Sequence, residues 1–156
     1  MKAHLVFPCF AISAALLTGC GESFTPGELA GVYRLTAVDG TPPPVIELAT
    51  IECDQLIVDG DLVLTAEGGH ELTLSIELEC PRGGDGSLQE RAYSGTFTVD
   101  DDDLEFFAAG SAEGDLVFDG RAGETAVMVD LPSTIGAAPL LQLRFEKDEC
   151  PEVCPG

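Results

Sequence analysis

Positive charge is scarce in this chain. Seven Lys and Arg stand against 28 Asp and Glu in 156 residues, a formal net charge of −21. Such a surface repels nucleic acid and anionic headgroups, so neither is an expected partner. A solvated surface is its ordinary use, and a face for a basic protein partner is the rarer one. Tryptophan is absent. No segment sustains a 3.6-residue apolar period, which leaves strands rather than helices to build the core. Catalytic signatures are missing as well. Gly110-Ser-Ala-Glu-Gly114 has the wrong spacing for a nucleophile elbow, and no phosphate loop or dinucleotide-binding turn occurs. Beyond residue 20 the chain has one histidine, His70, which any Ser-His-Asp or Cys-His site would have to use. Its place beside Gly68-Gly69 predicts an exposed turn histidine. Asp100-Asp101-Asp102-Asp103 lacks the glycine of a calcium loop, and Ser111 stands where that loop needs Glu, so it reads as a solvated turn. Arg82-Gly83-Gly84-Asp85-Gly86 occurs once and makes no calcium-binding repeat. The expectation is a protein that is not an enzyme and has no cofactor and no metal.

Long hydrophobic runs are also lacking. The apolar stretch from Ala3 to Leu17 follows Lys2 and is broken only by His4 and Ser13. It is too short to cross ~30 Å of hydrocarbon as a helix, which takes about 20 residues. It reads as a secretory signal. It closes on Leu17-Thr18-Gly19-Cys20, which resembles a bacterial lipobox. That resemblance implies cleavage before Cys20, lipidation of the Cys20 sulfur and a stable anchor from more than one acyl chain. Gly21 rather than Asp after Cys20 favours the outer membrane by resemblance to enterobacterial sorting. The expected localisation is the cell envelope, with the membrane as partner through the lipid.

The expected organisation is a signal peptide over 1–19, the lipidated Cys20 with a tether over 20–28, a β-barrel domain over 29–149 and a C-terminal disulfide loop over 150–156. Within the domain the apolar period is two. Gly31, Tyr33, Leu35 and Ala37 share a face, and Asp39-Gly40 ends that strand. Pro42-Pro43-Pro44 forces an extended connection without ladder donors. Val45 to Thr50 reads as an edge strand. Leu72, Leu74, Ile76, Leu78 and Cys80 alternate with polar residues in the cleanest amphipathic strand. Tyr93, Gly95, Phe97 and Val99 mark the next, and Leu104, Phe106 and Ala108 follow the four-Asp turn. Leu116 and Phe118 mark a strand ending at Asp119-Gly120. Thr125 to Leu131 is apolar on both faces, and Leu141, Leu143 and Phe145 form the last strand. About eight to ten short strands with hairpin-length turns predict a small antiparallel up-and-down β-barrel or a sandwich, and the barrel removes exposed edges. The inward set is Tyr33, Leu35, Leu64, Leu74, Ile76, Tyr93, Phe97, Phe106, Phe118, Leu143 and Phe145. Tyr33, Tyr93, Phe97, Phe106 and Phe145 are the candidates to line a pocket for a small apolar ligand, although a barrel of this width equally fills itself.

Cys53, Cys80, Cys150 and Cys154 remain after Cys9 leaves with the signal and Cys20 takes lipid, an even number in an oxidising compartment. If 53–66 is one strand bent at Gly60 and paired with 70–80, Cys53 and Cys80 meet at the open end of that hairpin, and a bulge near Gly60 puts both on one face. If Asp59-Gly60 is itself a hairpin turn, the two are too far apart to bridge. The bent strand is the reading adopted, with bridges Cys53–Cys80 and Cys150–Cys154.

The run Leu29-Ala-Gly-Val-Tyr-Arg-Leu-Thr-Ala-Val-Asp-Gly-Thr-Pro-Pro43 resembles the opening of bacterial lipocalin-like lipoproteins. Gly60-Asp-Leu-Val-Leu-Thr-Ala-Glu-Gly68, Tyr93-Ser-Gly-Thr-Phe97 and Leu143-Arg-Phe-Glu-Lys147 are similar to the same group. The resemblance covers most of 29–147 and implies a small barrel, sometimes with an apolar cavity. Two functions follow as expectations: a lipid-anchored, non-enzymatic barrel binding a small apolar ligand, or an acidic accessory protein with a filled barrel contacting a basic protein partner.

Overall fold

The computed structural model describes residues 23–49, 53–80, 86–111, 114–132 and 140–148. Cys20, Cys150 and Cys154, and with them the lipidation and the second bridge, lie outside the described residues. The chain enters through a one-turn helix α1 (Pro26–Leu29) and continues through nine strands: β1 (Gly31–Val38), β2 (Val45–Ala49), β3 (Asp54–Leu64), β4 (Gly69–Glu79), β5 (Leu88–Asp100), β6 (Asp103–Ser111), β7 (Gly114–Ala122), β8 (Ala126–Pro132) and β9 (Leu140–Lys147). They form one antiparallel sheet in the order β1-β9-β8-β7-β6-β5-β4-β3-β2. β1 also pairs with β3, from Gly31 opposite Leu64 to Arg34 opposite Asp61, and so closes eight strands into a barrel with β2 as an extra strand. Among the described residues no helix is long and apolar enough to cross a membrane.

All eleven residues of the expected inward set are buried. Alternation delivers them, and two bulges correct it. In β3 the register shifts between Ile57 and Asp59, so burial passes from Ile57 to Gly60, Leu62 and Leu64. The strand therefore bends rather than turns at Asp59-Gly60. Gly60 allows this because a Cβ there would stand 2.9 Å from Leu74 Cδ2 and 3.0 Å from the Thr73 carbonyl. The bulge keeps Cys53 in phase with Cys80, and the two form a disulfide with Cα atoms 4.1 Å apart. In β1 a shift between Leu35 and Ala37 brings Val38 into the core in place of Ala37.

Other expectations change. β7 does not end at Asp119-Gly120 but runs on to Ala122. Gly120 is a strand residue whose Cβ would meet the Met128 carbonyl at 2.6 Å and the Phe106 ring at 2.9 Å, so it is there for close approach, not for a turn. β8 is not buried on both faces: Val127, Val129 and Leu131 are core, while Ala126, Met128 and Asp130 are half-buried. The segment read as a tether joins the fold from Phe24, which packs against the core and whose N–H donates to the Asp101 carbonyl at 3.0 Å. The Thr25 N–H and hydroxyl each donate to the Glu28 carboxylate at 2.8 Å and hold that carboxyl below its usual range. The buried Tyr33 hydroxyl donates to the Leu29 carbonyl at 2.6 Å, tying α1 to β1.

The disulfide closes a separation of 27 residues, which in the chain-entropy account stabilises by about 3–4 kcal/mol. Urea unfolding of a Cys53→Ala, Cys80→Ala variant should show a loss of that size with the barrel retained. An unchanged midpoint would mean that the bulged hairpin holds its register without the bridge.

Candidate functional site: an aromatic interior and an acidic outer face

Inside, the five pocket candidates are all deeply buried, Tyr33 and Tyr93 at 2%, Phe97 at 3%, and Phe106 and Phe145 at 0% exposure. Cross-strand register places Phe97 opposite Phe106, and Phe106 opposite Phe118. The Phe106 and Phe118 rings stack at 5.0 Å and 10°, and Phe97 lies 5.9 Å from Phe106. Tyr93 meets Phe118 edge-on at 6.3 Å. At these spacings the rings touch one another.

His70 is not the exposed turn residue expected; it is 5% exposed. It lies in phase with Leu72 and Leu74, and its ring stands edge-on to Phe106 at 5.1 Å and to Phe118 at 5.7 Å. Gly95 lies opposite it on β5 and leaves its side free of another side chain. Neither ring nitrogen completes a hydrogen bond among the described residues. Burial lowers the pKa from 6.5, opposed in part by the Thr96 backbone. The folded protein thus takes up this proton less readily than the unfolded chain does. The stability that this placement contributes is fully present above pH 6.5 and is lost progressively as the pH falls below that value. Urea midpoints between pH 7.5 and 5.5 should fall for the native chain and fall less for His70→Leu; equal slopes would contradict the buried placement.

A second buried polar group was not legible as such. Glu47 occupies the bulge of β2, between the paired Ile46 and Leu48. Its side chain is 0% exposed, and it accepts a hydrogen bond from Arg91 Nη1 of β5 at 2.8 Å. β2 and β5 are three positions apart in the sheet, roughly 14 Å at ~4.8 Å per strand. The contact therefore spans the inner side of the sheet from β2 to β5. Tyr93 also interacts with the Arg91 guanidinium. Removing one partner leaves the other charge buried alone, at a cost of about 3–5 kcal/mol. Arg91→Met should lower stability by that amount, and Glu47→Leu in the same chain should recover most of it. Additive losses would show that the two side chains are not coupled.

Outside, a half-open groove of about 630 Å³ lies across β6, β7, β8 and β9, lined by Asp103, Asp119, Arg121, Asp130 and Gln142, with Leu104, Gly120 and Met128. Register explains its charge. Glu105 pairs with Asp119, Asp119 with Asp130, and Asp130 with Gln142, so three carboxylates stand side by side on adjacent strands. Like charges directly opposite are destabilising. The bases nearby are engaged elsewhere: Arg121 with Asp102 at 3.4 Å and Asp103 at 3.3 Å, and Arg144 with Glu146 at 3.2 Å. Among the described residues no base pairs with Glu105, Asp119 or Asp130. The four-Asp segment is a hairpin turn, as expected, pinned by Arg121. No group of three or more His, Cys, Asp or Glu is placed to hold a metal ion among the described residues.

The pattern held signals for the interior groups: His70 is in phase with Leu72, and Arg91 with Tyr93. The acid row carried none, because it exists only through register. No family model, no curated protein and no solved structure matches this chain.

Proposed function

We propose that the chain is a non-enzymatic envelope protein, held on a membrane by lipid on Cys20, whose filled barrel presents an outer face to a basic protein partner. The observation that carries this reading is the division of the barrel into an inside and an outside. The inward aromatic residues pack on one another, whereas the outer face keeps a carboxylate row with no base against it among the described residues, Asp130 accepting from the Gln142 amide at 3.3 Å, beside a groove. Binding at an outer face needs no rearrangement of the core, and an apolar ligand inside would need one.

The test has two arms. Expressed with its signal in a Gram-negative host, the full chain should fractionate with membranes and be metabolically labelled by a fatty acid, and Cys20→Ser should abolish both. Native mass spectrometry of the purified protein should then give the mass of the polypeptide and its acyl chains alone. Failure to label overturns the anchor. A co-purified apolar molecule overturns the filled-barrel reading in favour of ligand binding.

A further inference from the structure

The outer face of β6–β9 carries a second row parallel to the acidic one. Two residues along each strand from Glu105, Asp119, Asp130 and Gln142, on the same face, stand Phe107, Val117, Pro132 and Leu140. Phe107 is paired with Val117 and Pro132 with Leu140. Phe107 is 41% exposed, Val117 49% and Leu140 50%, high values for large apolar side chains, and Phe107 and Val117 are on neighbouring strands. The exposed pair Phe107 and Val117 thus lies about 7 Å along the strands from the three carboxylates of β6–β8, while Pro132 and Leu140 form a separate pair beyond Asp119 opposite Asp130, the last β7–β8 pairing on that side.

The geometry points to one occupant: a cationic amphipathic helix of a partner protein, lying across the strands with its apolar side on Phe107, Val117 and Leu140 and its Lys or Arg over Glu105, Asp119 and Asp130. The two side-by-side features carry the choice of a helix: an amphipathic helix presents a basic stripe and an apolar stripe to one surface together, whereas an extended segment turns only one row of alternate side chains toward it. Charge decides against the other occupants. A second copy brings acid rows of the same sign together, and an anionic membrane surface is repelled by a chain of net charge −21. The row lacks its own counter-charge, so the partner's bases remove a repulsion present in the free protein as well as adding an attraction. This inference rests on the partner reading above and names the surface and the chemistry it fits.

The probe is a labelled synthetic helix of about 14 residues, ~21 Å long, with Leu on one stripe and Lys on the next, titrated into the purified full chain by fluorescence anisotropy. It should bind, and a scrambled peptide of the same composition should bind about tenfold or more weakly, since scrambling keeps the charge and loses the stripe. Asp119→Asn with Asp130→Asn, and separately Phe107→Ser with Val117→Thr, should each weaken the helix about tenfold. Glu71→Gln with Glu90→Gln, acids exposed on the outer face of β4 and β5, should change it less than twofold. The Asp119 and Asp130 substitutions also relieve repulsion, so the urea midpoint should rise while binding falls, which separates lost contact from lost fold. Equal losses from both acid pairs would mean diffuse attraction and overturn this surface while leaving a partner reading intact. No binding of either peptide would overturn the surface and remove the charge basis of that reading too.

Discussion

The fold depends on a short seam. β1 and β3 share four residue pairs, Gly31 to Arg34 against Leu64 to Asp61, and these turn an open sheet into a barrel. Without them the sheet has an edge at β1 as well as at β2, and Tyr33, Leu35, Leu62 and Leu64 lose the enclosure that buries them. The seam is short because β3 serves two neighbours along one edge. Below the bulge it pairs with β1; above it, from Ile57 to Asp54, it pairs with β2. The exposed ion pairs of Arg34 with Asp61 at 3.6 Å and Asp148 at 3.1 Å sit on the seam and contribute little themselves. What holds it is the burial on its inner side.

Above the seam the barrel needs other means of closure. The Cys53–Cys80 bridge fixes the last pair of the β3–β4 hairpin, next to Asp54 opposite Glu79, where two acids would otherwise push the strands apart. The Glu47–Arg91 pair ties β2 to β5. At the opposite end Phe24, α1 and the Tyr33 hydroxyl cover the core. Inside, the rings of Tyr93, Phe97, Phe106 and Phe118 are in mutual contact.

Strand positions and the inward set could be read from alternation because each is a local pattern of period two. Bulges are not local in that sense. Only the paired cysteines hinted at the one in β3, since they bridge only if the strand bends there, and nothing hinted at those in β1 and β2. Asp119-Gly120 misled because Asp-Gly is a turn signal wherever a strand can stop, and whether it stops depends on Met128 and Phe106 approaching Gly120 from other strands. His70 misled for a related reason: its neighbours Gly68 and Gly69 do form the turn, but the phase of the following strand carries the imidazole inward. Cross-strand neighbours such as Glu105, Asp119 and Asp130 are set by three registers at once, and composition records only that acids are many.

The central claim is that the barrel is closed on its own side chains. Nuclear Overhauser contacts of the His70 ring protons test it most directly, because His70 is the polar group a bound molecule or penetrating water would reach for. The account predicts contacts to the Phe106 and Phe118 rings and none to water or to a non-protein molecule. Contacts from His70 to water or to a bound compound would contradict it and make the interior, not the outer face, the place where this protein works.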